Sequence, residues 1–376
     1  MSTLSGLRLL MTTDAVGGVW SYATSLATAV AALGADVHLV TSGPAPRPDQ
    51  RAMLRGTAVR LVETDLALEW QDPAAQDLDR ARGTLLALER ELRPDIIHLN
   101  SFREATFDWH APVLVVAHSC VLSWGLACDD SGFLQEPRWQ RYSELVAAGL
   151  RRADAWVAPT CAFGEVIGRL HAPDRPGTLI WNGIAALNRE AARHEKETFV
   201  LAAGRMWDKA KNLRTLSEAA DGLACPVRVA GAGSDSAVVT SNLHQLGELS
   251  HDEVRRWMGR AAVYASPALY EPFGLSVLEA ASAGCALVLS DIPSFRELWQ
   301  DAAMFVAPTD AGAIRSTLRW LAADSRACGT LQDAARRRAA RYTLRRMAAS
   351  YAELYEDLLA RSSPDHRSNA YAEACA

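Results

Sequence analysis

The chain has 376 residues, of which 49% are hydrophobic and 22% charged, with a formal net charge of −5. That length accommodates two domains, each with its own core. The composition excludes extensive disorder, and the negative balance excludes a general polyanion binder, so nucleic acid is not an expected partner. Seven cysteines (120, 128, 161, 225, 285, 328 and 375) are scattered, odd in number and free of any C-x-x-C pair. This suits free thiols in a reducing cytoplasm better than a disulfide framework or a zinc site. Met1–Gly6 lacks the basic start of a signal peptide, and the apolar run Leu7–Met11 is too short for its hydrophobic region. The most apolar stretch, Ala111–Cys128, carries His118, Ser119 and Ser123 and is expected to be a buried strand plus loop rather than a membrane span.

Along the chain, short apolar or β-branched runs alternate with amphipathic segments. Leu7–Met11, Asp36–Thr41, Ala58–Glu63, Ile96–Ser101, Pro112–His118, Asp154–Thr160 and Thr178–Ile184 read as strands. In Val19–Leu33, the apolar residues Val19, Tyr22, Ala23, Leu26, Val30 and Leu33 follow helical spacing. Residues 186–197 are polar and charged and are expected to be a linker after a first domain, 1–185. A second alternating series fills 198–343. Its predicted strands are Thr198–Gly204, Pro226–Gly231, Ala262–Pro267, Ala286–Asp291 and Met304–Ala307. Its predicted helices are Asn212–Asp221, Ser250–Arg260, Leu275–Gly284, Phe295–Gln300 and Ala311–Asp324. Alternation of this kind predicts an α/β protein with two doubly wound, parallel-sheet, Rossmann-like halves facing across a cleft. A last helix, 344–361, shows one apolar face (Leu344, Met347, Ala348, Tyr351, Tyr355, Leu358), and the tail 362–376 is polar and expected to be disordered.

Four clusters carry chemistry. Gly17 and Gly18 stand at a strand-to-helix turn, where they either allow close approach of a phosphate or only make the turn. Ala230-Gly231-Ala232-Gly233-Ser234 offers the same two readings in the second half. Arg205 and Lys211 follow the first strand of that half and suit neutralisation of a diphosphate, where a lone cation elsewhere would be solvated. Most specific is Glu271-Pro272-Phe273-Gly274-Leu275-Ser276-Val277-Leu278-Glu279. A helix begins at Gly274–Leu275, with its free amides aimed at an anion, and both carboxylates are placed to reach one ligand across its start. His118 beside Cys120 suggests either a nucleophile pair or a buried structural histidine. Asp129 and Asp130 are adjacent, so on regular structure they point apart and make a poor metal pair.

Together these residues resemble the family 4 retaining glycosyltransferases of the GT-B fold, over nearly the whole chain. The resemblance rests on Gly17-Gly18, His118, Asn182-Gly183, Arg205, Lys211, Gly231-Ala232-Gly233 and the Glu-x7-Glu pair Glu271 and Glu279. It implies a first domain that holds the acceptor and a second that holds the nucleotide sugar. Gly17, Gly18, Gly231 and Gly233 count among the donor-binding glycines. Glu279 goes to the ribose, Glu271 to the sugar, Arg205 and Lys211 to the diphosphate, and the backbone of Phe273, Gly274, Leu275 and Ser276 to sugar and phosphate. His118 lies beside the anomeric carbon, and the last helix crosses back to the first domain. The family often has Asp after the histidine and a branched residue then Asp after Asn-Gly; here these are Ser119 and Ile184-Ala185.

The resemblance implies retention by same-face attack, with the departing phosphate taking the acceptor proton. No metal and no cofactor beyond the nucleotide-sugar co-substrate are expected, with UDP-hexose the first donor candidate and GDP-mannose the second. The acceptor is not identified. The other readings are a nucleotide-sugar 2-epimerase or disaccharide phosphorylase on the same fold, or a non-catalytic nucleotide-sugar-binding scaffold. Arg47, Arg51, Arg55 and Arg60, and Arg138, Arg141, Arg151 and Arg152, form basic clusters. They fit either peripheral docking on the anionic inner face of a membrane or a solvated basic surface.

Overall fold

The computed structural model describes residues 4–185, 196–233 and 242–362. Most of the expected linker, Ser234 and all but the first residue of the expected tail lie outside them. Two compact units emerge. Of the described residues, the first holds those up to Gly125, Ser131–Trp181 and those from Leu344 on; the second holds Leu126–Asp130 and those between Asn182 and Thr343.

In the first unit β1 (Arg8–Asp14), β2 (Asp36–Ser42), β3 (Arg60–Glu63), β4 (Ile96–Leu99), β5 (Val113–Val116), β6 (Ala155–Ala158) and β7 (Thr178–Leu179) form one sheet in the order β3-β2-β1-β4-β5-β6-β7. Every pairing is parallel. All four residues of β4 and of β5 are buried, as both faces of a parallel sheet demand. The helices are α1 (Gly18–Ala32), α2 (Pro48–Ala52), α3 (Leu78–Leu92), α4 (Val121–Ala127, its last two residues counted with the second unit), α5 (Pro137–Arg152) and α6 (Cys161–His171). Thr160 starts α6 by accepting the Phe163 amide at 3.1 Å.

The second sheet is built from β8 (Glu197–Ala203), β9 (Val227–Ala230), β10 (Leu243–Gly247), β11 (Ala261–Ser266), β12 (Ala286–Ser290) and β13 (Met304–Val306), in the order β10-β9-β8-β11-β12-β13, again parallel. Its helices are α7 (Leu213–Ala220), α8 (His251–Arg260), α9 (Leu275–Ser282), α10 (Pro293–Trp299), α11 (Ala311–Ala323) and α12 (Ser325–Ala339). A capping box starts α8: Ser250 receives the Glu253 amide, and Glu253 returns a carboxylate to the Ser250 amide at 2.9 Å.

The predicted series holds with three corrections. Ala111–Cys128 is a strand followed by the short helix α4, not a strand plus loop. The strand expected over Thr178–Ile184 shrinks to two exposed residues at the sheet edge. The edge strand β10 and the helix α12 are additions: β10 has exposed polar residues instead of an apolar run, and α12 buries only Cys328, Ala335 and Ala339. Several arginines of the two basic clusters are ion-paired. Arg47 pairs with Asp49, Arg51 with Glu63, Arg60 with Asp36, Arg138 with Glu136, and Arg152 with Asp108.

The last helix, α13 (Leu344–Ser362), packs on α1 and buries Met347, Ala348, Tyr351, Ala352, Tyr355 and Leu358. Full burial of Met347 or Leu358 is worth about 1.5–3 kcal/mol each. The contact is also polar: the Tyr355 hydroxyl lies 2.7 Å from Nδ1 of the buried His98 on β4, and the rings of Tyr351 and His98 are 5.4 Å apart. Burial, reinforced by nearby His118, lowers His98 to a pKa of about 3, so its imidazole is neutral at physiological pH.

A buried ionic cluster ties the loop after β3 to the turn after β4. Arg103 donates to Glu104 at 3.0 Å, to Asp72 at 2.9 Å and to the Ala67 carbonyl at 2.7 Å. Glu69 Oε2 accepts the amides of Phe102 at 3.0 Å and Arg103 at 3.2 Å. Glu104 and Asp72 thus share one guanidinium, and Glu69 lies close by on the backbone amides. Burial, then repulsion from Glu104, pushes the Glu69 carboxyl from 4.5 up to about 7. A carboxyl raised on folding stabilises below its unfolded value and loses that contribution as pH rises through the folded one. Glu69→Gln is therefore expected to flatten the fall in unfolding free energy between about pH 5 and about pH 8, measured by denaturant titration against the unsubstituted chain. Parallel profiles would contradict the raised Glu69 carboxyl.

Candidate active site

In each sheet the order reverses beside the strand that opens the unit, and loops diverge there. Such switch points are where doubly wound sheets bind ligands. In the second unit the switch lies between β8 and β11.

The loop after β8 turns at Gly204 and carries Arg205, Trp207, Asp208 and Lys211. Asp208 organises it, accepting from Arg205 at 3.1 Å and from the Ala210 amide at 2.9 Å. The Arg205 guanidinium lies over Trp207, 5.5 Å from the ring centre. Asn212 then adopts the left-handed conformation, φ 54°, which Asn tolerates better than most residues. Its amide donates to the carbonyls of Pro267 at 2.8 Å and Pro308 at 2.7 Å, binding this loop to those after β11 and β13.

The loop after β9 is forced close to it. A Cβ on Gly231 would stand 1.7 Å from the Gly204 carbonyl oxygen, and Gly231 has φ +146°. This glycine is thus required by packing, whichever of its two predicted roles it also serves. Gly233 lies against Trp207.

From β11 the chain runs into Glu271 and α9. Lys211 Nζ donates to Glu271 Oε2 at 2.6 Å, with both side chains mostly buried. Ser294 fixes the same residue by donating to its carbonyl at 2.5 Å. Gly274 caps α9 with φ 84°; a Cβ there would press on Phe295, Val277 and Glu271. Phe273 turns its ring into the core, edge-on to Tyr342, so what it offers a ligand is backbone. Tyr264 donates to the Ala203 carbonyl at 3.1 Å and bonds to Ser276, joining the start of α9 to β8. Glu279, in the second turn of α9, sits 2.7 Å from His251 Nε2.

Arg205, Lys211, Gly231, Gly233, Glu271, Phe273, Gly274, Leu275, Ser276 and Glu279 thus all leave the carboxyl ends of three neighbouring strands. Gly17, Gly18 and His118 belong to the first unit. There the switch lies between β1 and β4. Gly17, φ 113°, caps α1, and Asp14 accepts the Val16 amide at 2.7 Å in the same turn.

His118 follows β5 and is half-buried. Asn100, after β4, donates its side-chain amide to the Thr12 carbonyl at 2.7 Å and its backbone amide to the Thr12 hydroxyl at 3.0 Å. Its remaining oxygen, Oδ1, lies 2.7 Å from His118 Nε2, so that nitrogen carries the proton and Nδ1 is left as an acceptor. Desolvation brings His118 to a pKa of about 3. Tyr22 of α1 packs edge-on against the ring at 4.5 Å. The nucleophile reading fails on geometry: the histidine near Cys120 is His171, at 3.5 Å, and burial raises the thiol and holds His171 neutral. Asp130 pairs with Lys209 at 3.4 Å. Among the described residues, no group of three His, Cys, Asp or Glu side chains is arranged to hold a metal ion.

Sequence reasoning missed Asn100, Tyr22, His98, Asn212, Tyr264 and His251. Each acts through a partner distant in sequence.

Two parallel-sheet units with loops gathered at their switch points define the GT-B class. A family profile described as Glycosyltransferase Family 4 matches residues 16–186, and one described as Glycosyl transferases group 1 matches 197–324. A glycogen synthase of Mycobacterium tuberculosis is 24% identical over 363 residues, covering 86% of both chains. A GDP-mannose:cellobiosyl-diphosphopolyprenol alpha-mannosyltransferase of Komagataeibacter xylinus is 34% identical over 122 residues, 31% of this chain and 30% of that one. Among solved structures, a sucrose-phosphate synthase from Thermosynechococcus elongatus superposes with a TM-score of 0.78 at 19% identity, covering 95% of this chain and 100% of that one. Anabaena HepE in complex with UDP and glucose gives 0.72 at 13%, covering 93% and 100%. The chain belongs to glycosyltransferase family 4/group 1, retaining enzymes that transfer sugar from a nucleotide sugar.

Gly231→Ala is expected to destabilise the protein by at least about 2 kcal/mol, because backbone must move and the φ suits only glycine. Thermal unfolding checks this; an unchanged midpoint would contradict the close approach to Gly204.

Proposed function

We propose that this enzyme moves a hexose from a UDP-sugar, with GDP-mannose the second candidate donor, and that the site around Lys211 and Glu271 holds the donor. The observation that carries the reading is the Lys211–Glu271 ion pair of 2.6 Å at the switch point, beside the amide-lined start of α9. A nucleotide sugar presents a diphosphate next to a polyhydroxylated ring. The ion pair presents a cation and an acceptor in the same adjacency. Lys211 and Arg205 would take the diphosphate, Glu271 the sugar hydroxyls, and Glu279 the ribose.

Chemistry requires the bond from anomeric carbon to phosphate to break, leaving negative charge on the diphosphate. Fixed cations and oriented amides stabilise that charge without reorganisation, often the largest catalytic term. Arg205 and Lys211 fill the role that a divalent ion fills elsewhere, so the proposed transfer is independent of metal. His118, held neutral with Nδ1 as acceptor, is suited to take a hydrogen bond from a sugar hydroxyl and unsuited to act as an acid. With no strong base assigned, the departing phosphate takes the acceptor proton as the acceptor attacks from the same face, which retains configuration. The names of the relatives support both donor candidates and leave the acceptor open. No described helix is long and apolar enough to cross a membrane.

Lys211→Ala is expected to lower turnover on the order of a hundredfold, since the leaving group loses a preorganised partner. Transfer by the unsubstituted enzyme should survive EDTA. Steady-state assays with UDP-glucose and GDP-mannose check both. Near-normal turnover of the variant, or activity lost to EDTA and restored by magnesium, would overturn this assignment of the cations.

A further inference from the structure

His251 is the first residue of α8, and its Nε2 lies 2.7 Å from Glu279 Oε1. The position is unusual for a group that gains positive charge. The start of a helix carries the positive end of its dipole and ordinarily disfavours a cation. What makes the charge tolerable here is Glu279, delivered from α9. The dependence is mutual: Glu279 Oε2 has no hydrogen-bond partner among the described residues, so the imidazole is the side chain that fixes the carboxylate's orientation.

We infer that His251 is a positioning residue for the ribose-binding carboxylate, and that its protonation makes nucleotide affinity depend on pH. The inference rests on the assignment of Glu279 to the ribose. With Oε1 held by one N–H, the carboxylate keeps Oε2 and a second lone pair on Oε1, enough to accept both ribose hydroxyls. Protonating His251 keeps the hydrogen bond and adds a positive charge near a ligand whose diphosphate is negative. Nucleotide binding therefore favours the imidazolium, and by linkage the imidazolium favours the nucleotide.

The surroundings set the direction. The hydrogen bond that His251 donates to Glu279 raises it above the ordinary imidazole value, against an opposing effect of burial. On α8 itself, Asp252 adds to the rise and Arg255 opposes it, while Glu253 is engaged in the cap. On β11, Tyr264 is pushed far above its ordinary value by burial and stays neutral. Lys196 is bound to the Met258 carbonyl near the other end of α8. Affinity is thus expected to be highest at acidic pH and to fall as pH rises through the raised value.

The test is calorimetric titration of UDP, GDP and ADP into the full chain, its His251→Gln variant and its Glu279→Ala variant, from about pH 6 to about pH 9. Glutamine keeps a donor near Glu279 but cannot titrate; His251→Asn serves the same purpose if the glutamine variant does not fold. The phosphates titrate identically in every titration, so the comparison between proteins isolates the histidine. For the nucleotide that binds tightest, the unsubstituted chain should lose at least about threefold more affinity across this range than His251→Gln, the effect of half a unit of coupled pKa change. If Glu279→Ala weakens binding but the His251→Gln profile runs parallel to that of the unsubstituted chain, the role of His251 is wrong and the ribose assignment stands. If Glu279→Ala binds normally, or none of the three nucleotides binds, the ribose assignment itself fails and the inference falls with it.

Discussion

The constraint on which the molecule depends is the reversal of strand order beside the first strand of each sheet. In the second unit, β8 lies between β9 and β11. Helices connecting to either side must leave opposite faces, so the loops after β8 and β11 part and expose backbone at the carboxyl ends. Lys211 comes from the first of these loops and Glu271 from the second, and their ion pair spans the opening. The first unit repeats the device. Thr12 lies in β1 and Asn100 follows β4, and two hydrogen bonds join them across the equivalent reversal. Asn100 in turn fixes His118. One topological rule therefore places both the cation–carboxylate pair and the oriented imidazole.

Holding these groups still takes a supporting layer that contributes little chemistry itself. Asn212 binds three loops together, Tyr264 ties α9 to β8, and Gly231 lets one loop cross another where any side chain would collide. Around His118 the layer is aromatic: Tyr22, His98, Tyr351 and Tyr355 form a buried run of rings with the Tyr355 hydroxyl on His98. Two of these rings come from α13. The last helix of the chain thus completes the core behind the site histidine of the first unit, which explains why its apolar face is interrupted by tyrosines and not filled by leucine.

Much of this was legible in the sequence because it is local. Parallel strands buried on both faces read as apolar runs, and the run from Glu271 to Glu279 places a left-handed glycine, a helix start and two carboxylates within nine residues. What the sequence hid is non-local. His251 meets Glu279 across 28 positions, Asn100 meets His118 across 18, and Tyr355 meets His98 across 257. No periodicity encodes such pairs. The edge strand β10 was hidden for another reason. With one face open to water, Leu243–Gly247 has no apolar run, and its identity comes from its neighbour β9. The ion-pair partners of Arg51 and Arg60 were hidden too, since Glu63 and Asp36 come from other elements of the first unit.

The central claim is that one donor lies across the start of α9, with its sugar at Glu271 and its ribose at Glu279. Ribose contacts hardly change during reaction, whereas those at the sugar change as the glycosidic bond breaks, so the two carboxylates should fail differently. Calorimetric titration of the free nucleoside diphosphate into Glu279→Ala and Glu271→Ala tests this most directly. The account predicts that Glu279→Ala loses about 1–3 kcal/mol of nucleotide affinity, the cost of an unmade hydrogen-bonded contact, while Glu271→Ala binds nearly as the unsubstituted chain does. Loss of nucleotide affinity in Glu271→Ala with normal binding in Glu279→Ala would mean that the donor runs the other way across the helix, and would contradict the account.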